Sequence, residues 1–137
     1  LKRLGFEDRI RTALAPEISL PAIGQGAIGI ECREGDLRIN ELIAVLDDPD
    51  THVCIEAERA MNNRLEGGCQ VPIAGFAVLE GKQIQLSGLV GRVDGSEILR
   101  SAIFGPSHEA AEMGTALAEE LLARGADEIL AALYADK

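Results

Sequence analysis

Three strand-like runs at residues 71–79, 83–90 and 97–104, separated by Glu80-Gly81-Lys82 and Asp94-Gly95-Ser96, constrain the fold of this chain more than any other feature. A glycine in a short polar break between two β-patterned runs is a hairpin signal, so the three runs predict an antiparallel meander. The middle run alternates most cleanly, with Ile84, Leu86 and Val90 set against Gln83, Gln85 and Ser87. Period-two alternation makes a half-covered sheet, and something must cover its apolar face. The following sequence supplies the cover. From Ser107 onward, Ala110, Met113, Leu117 and Leu121 recur at helical spacing, Gly125 stops that helix, and a shorter one carries Ile129, Leu130 and Leu133.

Ahead of the sheet the pattern is helical over residues 51–66, with Val53, Ala57, Ala60, Met61 and Leu65 on one side and Gly67 as the expected stop. Cys69 therefore falls just past a helix end, in a glycine turn. Asp47-Asp48-Pro49-Asp50-Thr51 ends one element and starts the next, because proline breaks the first and acidic side chains favour the positive end of the second. It is the best domain boundary. Further upstream, Ile39, Leu42, Ile43 and Leu46 predict a short amphipathic helix over 37–46 with Asp36 as its N-cap. Residues 27–33 alternate, with Ile28, Ile30 and Cys32 on one face, and predict a strand. The first twenty residues are mixed in period and read as the tail of a preceding domain, followed by a crossing segment. The fold class is α+β, a three-stranded antiparallel sheet covered by helices.

Composition removes several function classes. The 137 residues carry a formal net charge of −10 and only 3% aromatics, which disfavours nucleic acid and anionic membrane surfaces as partners. No apolar run is long enough to span a membrane. Cys32, Cys54 and Cys69 are odd in number and widely spaced, which excludes a disulfide scaffold and favours a reducing cytoplasm. With two histidines and no C-x-x-C pair, no metal site is expected. The chain opens on Leu1 inside a structured pattern and is expected to be cut from something longer.

Two motifs invite a chemical interpretation. Gly24-Gln25-Gly26-Ala27-Ile28-Gly29 matches the dinucleotide fingerprint to the letter, but that motif needs a strand before it and a helix after it, and here it leads into a strand pattern. A crossing between domains is the expectation. Cys32 and Cys54 lie on patterned elements and are expected to be small core residues. Cys69 differs: its flanking glycines give the thiol little cover and let another molecule approach, although an incidental turn cysteine fits the spacing equally well.

The run Arg64-Leu65-Glu66-Gly67-Gly68-Cys69-Gln70-Val71-Pro72-Ile73 resembles the cofactor-attachment signature of the porphobilinogen deaminases, also called hydroxymethylbilane synthases. Leu20-Pro21-Ala22-Ile23-Gly24-Gln25-Gly26-Ala27-Ile28-Gly29-Ile30-Glu31, Ala57-Glu58-Arg59-Ala60 and residues 113–122 share the resemblance, which runs in order along essentially the whole chain. It implies a transferase of tetrapyrrole biosynthesis that joins four porphobilinogen units, releases ammonia and starts from a dipyrromethane cofactor. By resemblance, that cofactor is held by a thioether to Cys69, with Gly68 and Gln25 beside it. Arginine suits carboxylate-rich substrates, since its planar fork donates two hydrogen bonds to one carboxylate, and the resemblance implies such a contact for Arg3. Arg59 is expected in a structural interdomain ion pair, and Arg64 to be solvated or paired. After a helix C-terminus, whose partial negative charge raises a thiol pKa, Cys69 gains no activation from its position, so the electrophile has to supply the drive.

The resemblance also divides the chain. Residues 1–20 end a second α/β domain, 21–26 form a hinge, 27–46 supply a strand and helix of a first α/β domain, and 47–137 are the C-terminal, cofactor-bearing domain. The catalytic aspartate belongs to an N-terminal region outside the matched stretch, so no catalytic residue is assigned here. The missing domains are the expected partners, and the isolated chain is expected to be inactive. The rival from another class is a small α+β ligand-binding or regulatory module without chemistry.

Overall fold

In a computed structural model describing residues 1–68 and 71–135, the predicted meander is the centre of the fold. Strands β1 (Ile73–Glu80), β2 (Gln83–Gly91) and β3 (Ile98–Pro106) form one antiparallel sheet in the order β1-β2-β3. Glu80 pairs with Gln83 across the first turn and Gly91 with Ile98 across the second. In that second turn the Asp94 carboxylate accepts from the Ser96 amide at 3.0 Å and its hydroxyl at 2.7 Å, and these bonds hold its pKa below the ordinary value.

The register puts Ala77, Leu86 and Ile103 side by side on one face, with Ile84 and Val90 beside them along β2. Three helices cover that face: α2 (Pro49–Arg64), α3 (Ala110–Leu121) and α4 (Asp127–Ala135). The predicted stripes are the ones buried. Ala57, Met61 and Leu65 of the first, Ala110, Met113, Leu117 and Leu121 of the second, and Ile129 and Leu130 of the third form one core with the strands. The opposite sheet face stays open, with Val78 and Phe104 exposed upon it. There, Pro16, Glu17 and Leu20 line one side of a cavity of about 400 Å³, and Arg100 Nη1 donates to the Glu17 carbonyl at 3.3 Å.

Two close approaches decide how the helices sit. Gly75 and Gly88 face each other across β1 and β2, and the Met61 side chain fills the dip they leave: a Cβ on Gly88 would lie 2.5 Å from its sulfur. Gly114 of α3 lies against α2, where a Cβ would run into the Ala57 carbonyl oxygen and sit 2.8 Å from the Ala60 Cβ. The two helices therefore cross almost backbone to backbone, which larger residues would prevent.

Helix α2 starts as its composition demands. Asp48 is the N-cap, accepting from the Thr51 amide at 2.8 Å, with Pro49 following it and Asp50 in the first turn. Its end differs from expectation: the left-handed residue is Glu66 (φ 55), not Gly67. The Glu66 amide bonds the Asn63 carbonyl at 3.1 Å and the Gly67 amide bonds that of Asn62 at 2.9 Å. This double closure places the left-handed residue one position earlier. A Cβ at Gly67 would have to displace the Asn62 side-chain amide, which packs against it.

The upstream region departs further. Helix α1 (Leu37–Ile43) forms with the Asp36 cap, whose carboxylate accepts from the Ile39 amide at 3.2 Å, and a 3-10 turn, Ala44–Leu46, extends it. Residues 27–33, expected as a strand, form none: Ile28 is 90% exposed and Ile30 53%. A strand exists by exchanging backbone hydrogen bonds with a neighbour, and no strand of the described residues lies beside this one. Cys32 is consequently exposed and not a core residue, its thiol 3.0 Å from Asn40 Oδ1, whereas Cys54 is half-buried against the core as expected. Gly24 and Gly26 take positive φ in a turn that opens no helix, which removes the dinucleotide-binding interpretation.

Candidate functional site

The segment between α2 and β1 carries the residue on which the sequence places the chemistry. Cys69 itself, with Gln70, lies outside the described residues. Its approaches are well defined: α2 closes through Glu66 and Gly67, and β1 begins at Ile73 after the Val71 amide bonds the Gly68 carbonyl at 2.9 Å. Gly68 is exposed, and a Cβ built on it would meet nothing within 4 Å. The described residues therefore leave open space at the Gly68 Cβ position, next to the residue to which the resemblance assigns the dipyrromethane.

The other candidate residues are scattered around this loop. Gln25 sits in the crossing turn, where its Oε1 accepts from the Ala22 amide at 3.3 Å. Arg3 stands exposed in the 3-10 turn Lys2–Leu4, and no ion pair or hydrogen bond joins its side chain to another described residue. Arg59 borders an open groove of about 1230 Å³ between α2 and residues 24–31, together with Asp47, Asp48, His52 and Glu56. It makes no ion pair with another described residue. Its neighbour Arg64 is paired instead, Nε to Glu119 Oε1 at 2.6 Å, which ties the end of α2 to α3. Within the groove, Asp47 lies 3.0 Å from His52 Nδ1 and raises the pKa of that imidazole by hydrogen bonding and by charge.

The residue that sequence reasoning passed over is Glu58. It is only 4% exposed, a charged group among buried apolar side chains. Its two oxygens are divided between separate elements: Oε2 accepts from the Gly24 amide at 2.7 Å and Oε1 from the Ala77 amide at 2.9 Å. A helical projection contained the signal. Glu58 stands three residues before Met61 and one after Ala57, on the flank of the buried stripe, where an unpaired carboxylate would be costly.

Burial pushes the Glu58 carboxyl above the ordinary glutamate value, and the two amides pull against it without cancelling it. Because the folded pKa is the higher one, the stabilising contribution is fully present below the unfolded-state pKa and is lost as pH rises through the folded value. At neutral pH, then, the two amide bonds hold the ionised carboxylate against the cost of its burial. Relative to Glu58→Gln, which cannot ionise, the wild-type melting temperature is expected to fall as pH rises from about 4 towards neutrality. A difference between the two proteins that stays constant across that range would contradict the assignment.

Comparison with known families converges on the same region. A family model described as "Porphobilinogen deaminase, C-terminal domain" matches residues 52–123, and one described as "Porphobilinogen deaminase, dipyromethane cofactor binding domain" matches residues 1–41. The first contains Cys69, Glu58 and the whole sheet, and the second contains Arg3 and Gln25. Since the first match alone covers more than half of the chain, the chain belongs to the porphobilinogen deaminases.

Proposed function

We propose that this chain is the C-terminal part of a hydroxymethylbilane synthase, a transferase that polymerises four porphobilinogen units into hydroxymethylbilane with release of ammonia, from a dipyrromethane primer thioether-linked to Cys69. Membership of the family and its dipyrromethane cofactor stand on the two matches. The observation that carries the rest is the Gly67-Gly68-Cys69 sequence inside the first match, with open space at the Gly68 Cβ position. When bound, the dipyrromethane supplies the free pyrrole end onto which substrate units are added. The chain's own part is anchorage: the Cys69 sulfur forms a bond to carbon as the carbon–nitrogen bond of an aminomethyl group breaks, and the thiol proton leaves with the nitrogen as ammonia.

Gly68 and Gln25 are assigned to the surroundings of the cofactor, Arg3 to a cofactor or substrate carboxylate, and Arg59 to an ion pair with another domain of the same chain. The groove beside Arg59 supports the last assignment, because the exposed guanidinium there has no partner among the described residues. Residues 1–20 are assigned to the end of a second domain, 21–26 to the hinge, 27–46 to a first domain, and 47–137 to the cofactor-bearing domain. Exposed Ile28, Ile30, Leu42, Val45 and Leu46 support a buried setting for 27–46 within a longer chain, since so many exposed large apolar side chains in one short stretch suit an interaction face. None of the described helices is long and apolar enough to cross a membrane. The cytoplasm is assigned on the chemistry of its substrate and its unpaired thiols.

Mass spectrometry tests the proposal directly. In the complete enzyme, the peptide containing Cys69 is expected to carry the mass of a dipyrromethane, and an unmodified peptide in active enzyme would end the proposal. The 137-residue chain alone is expected to produce no hydroxymethylbilane from porphobilinogen. Product formed by the pure chain would show that the catalytic groups lie within it.

A further inference from the structure

One carboxylate touches three elements at once. Glu58 belongs to α2, the helix that leads into the Cys69 loop; its Oε1 takes the amide of Ala77 in β1, the strand that leads out; its Oε2 takes the amide of Gly24 in the crossing turn. β1 is an edge strand, and unpaired edge amides need acceptors. No fourth strand among the described residues supplies them. The Gly75 amide finds the Pro21 carbonyl at 3.1 Å, the Ala77 amide finds Glu58, and the Leu79 amide acts on the half-buried Cys54 thiol. Ile23 completes the attachment by packing against the core between the Pro21 and Gly24 contacts.

We propose that Glu58 is a positioning residue, a latch that fixes the crossing segment 21–26 to both stems of the Cys69 loop and so sets where that loop stands relative to the chain preceding it. A neutral side chain would serve the packing of α2 equally well. What only a carboxylate offers at this place is two acceptor oxygens for two amides that belong to different elements, with no donor to oppose either. The link between α2 and β1 already exists through Met61, which packs over Gly75 and Gly88. The element that depends on Glu58 is therefore the crossing segment, held otherwise, among the described residues, by one backbone bond from Gly75 and the partly buried Ile23. The task of the loop rests on the function proposed above, whereas the latch stands on its own geometry.

Peptide-resolved hydrogen exchange on this chain separates the two. Glu58→Gln keeps the size of the side chain but turns a donor towards one amide, and Glu58→Asp keeps the charge but is a methylene too short to reach both. Exchange at residues 21–26 is expected to quicken by at least about tenfold in both variants, the factor for one lost charge-assisted hydrogen bond. Residues 83–91 and 98–106 in the same samples are expected to remain protected as in the wild type. Unchanged exchange at 21–26 in either folded variant would overturn the latch. So would a rise shared equally by the sheet, which would mark Glu58 as a general stabiliser of the fold. Failure of Glu58→Gln to fold leaves Glu58→Asp to decide between these outcomes.

Discussion

Cys69→Ser in the complete enzyme is expected to abolish the covalent adduct, taking it from one per chain to undetectable, with loss of primed turnover. Serine keeps the size and the turn but replaces a soft, readily ionised sulfur by a hydroxyl that is hardly ionised at neutral pH. No neighbour in the sequence, such as an adjacent histidine, offers to act as its base. The preceding residue, Gly68, is exposed and the exchange of sulfur for oxygen is nearly isosteric, so the melting temperature should stay within a degree or two of the wild type. Intact mass and porphobilinogen consumption read the two effects separately. A serine variant that still carries the adduct and turns over normally would remove Cys69 from the chemistry.

The second large effect is structural and begins with a single methyl group. Gly114→Ala is expected to destabilise the chain by about 2–3 kcal/mol, although alanine is the better helix former by about 1 kcal/mol. Overpacking wins because the atoms in the way are backbone: the Ala57 carbonyl oxygen and the Met61 nitrogen, the latter 2.9 Å from the added carbon, cannot swing aside as a side chain could. Relief requires α2 and α3 to separate, which would lift Met61 from the Gly75 and Gly88 dip and loosen the Arg64 to Glu119 tie. For a domain of this size the melting temperature should drop by on the order of 10 °C, and Gly114→Val should not give a stable fold. Calorimetry on the alanine variant decides the matter. Equal or higher stability would contradict the backbone-to-backbone approach of α2 and α3 at Gly114.

Local chemistry was enough to read much of this molecule. Gly81 and Gly95 with their polar neighbours mark the hairpins, the alternation of Ile84, Leu86 and Val90 picks out the covered face, and the period of Ala110, Met113, Leu117 and Leu121 gives the covering helix. Each is a property of a few adjacent residues, repeated at the period of its own secondary structure. The proposed attachment at Cys69 came through the resemblance of the run from Arg64 to Ile73, since the glycine spacing by itself fits an incidental turn cysteine as well. The alternating stretch 27–33 misled because alternation signals the capacity to form a strand, and a strand also needs a neighbour.

The sequence by itself determined the α+β order of elements, the hairpins, the faces to be buried and the cysteine on which the proposed chemistry rests. Tertiary structure alone decided that Gly114 lets two helices touch and that Glu58 bonds amides 34 and 19 residues away. The reason is physical: burial, close approach and the division of one carboxylate between two amides depend on which distant segments meet, and no local period records that.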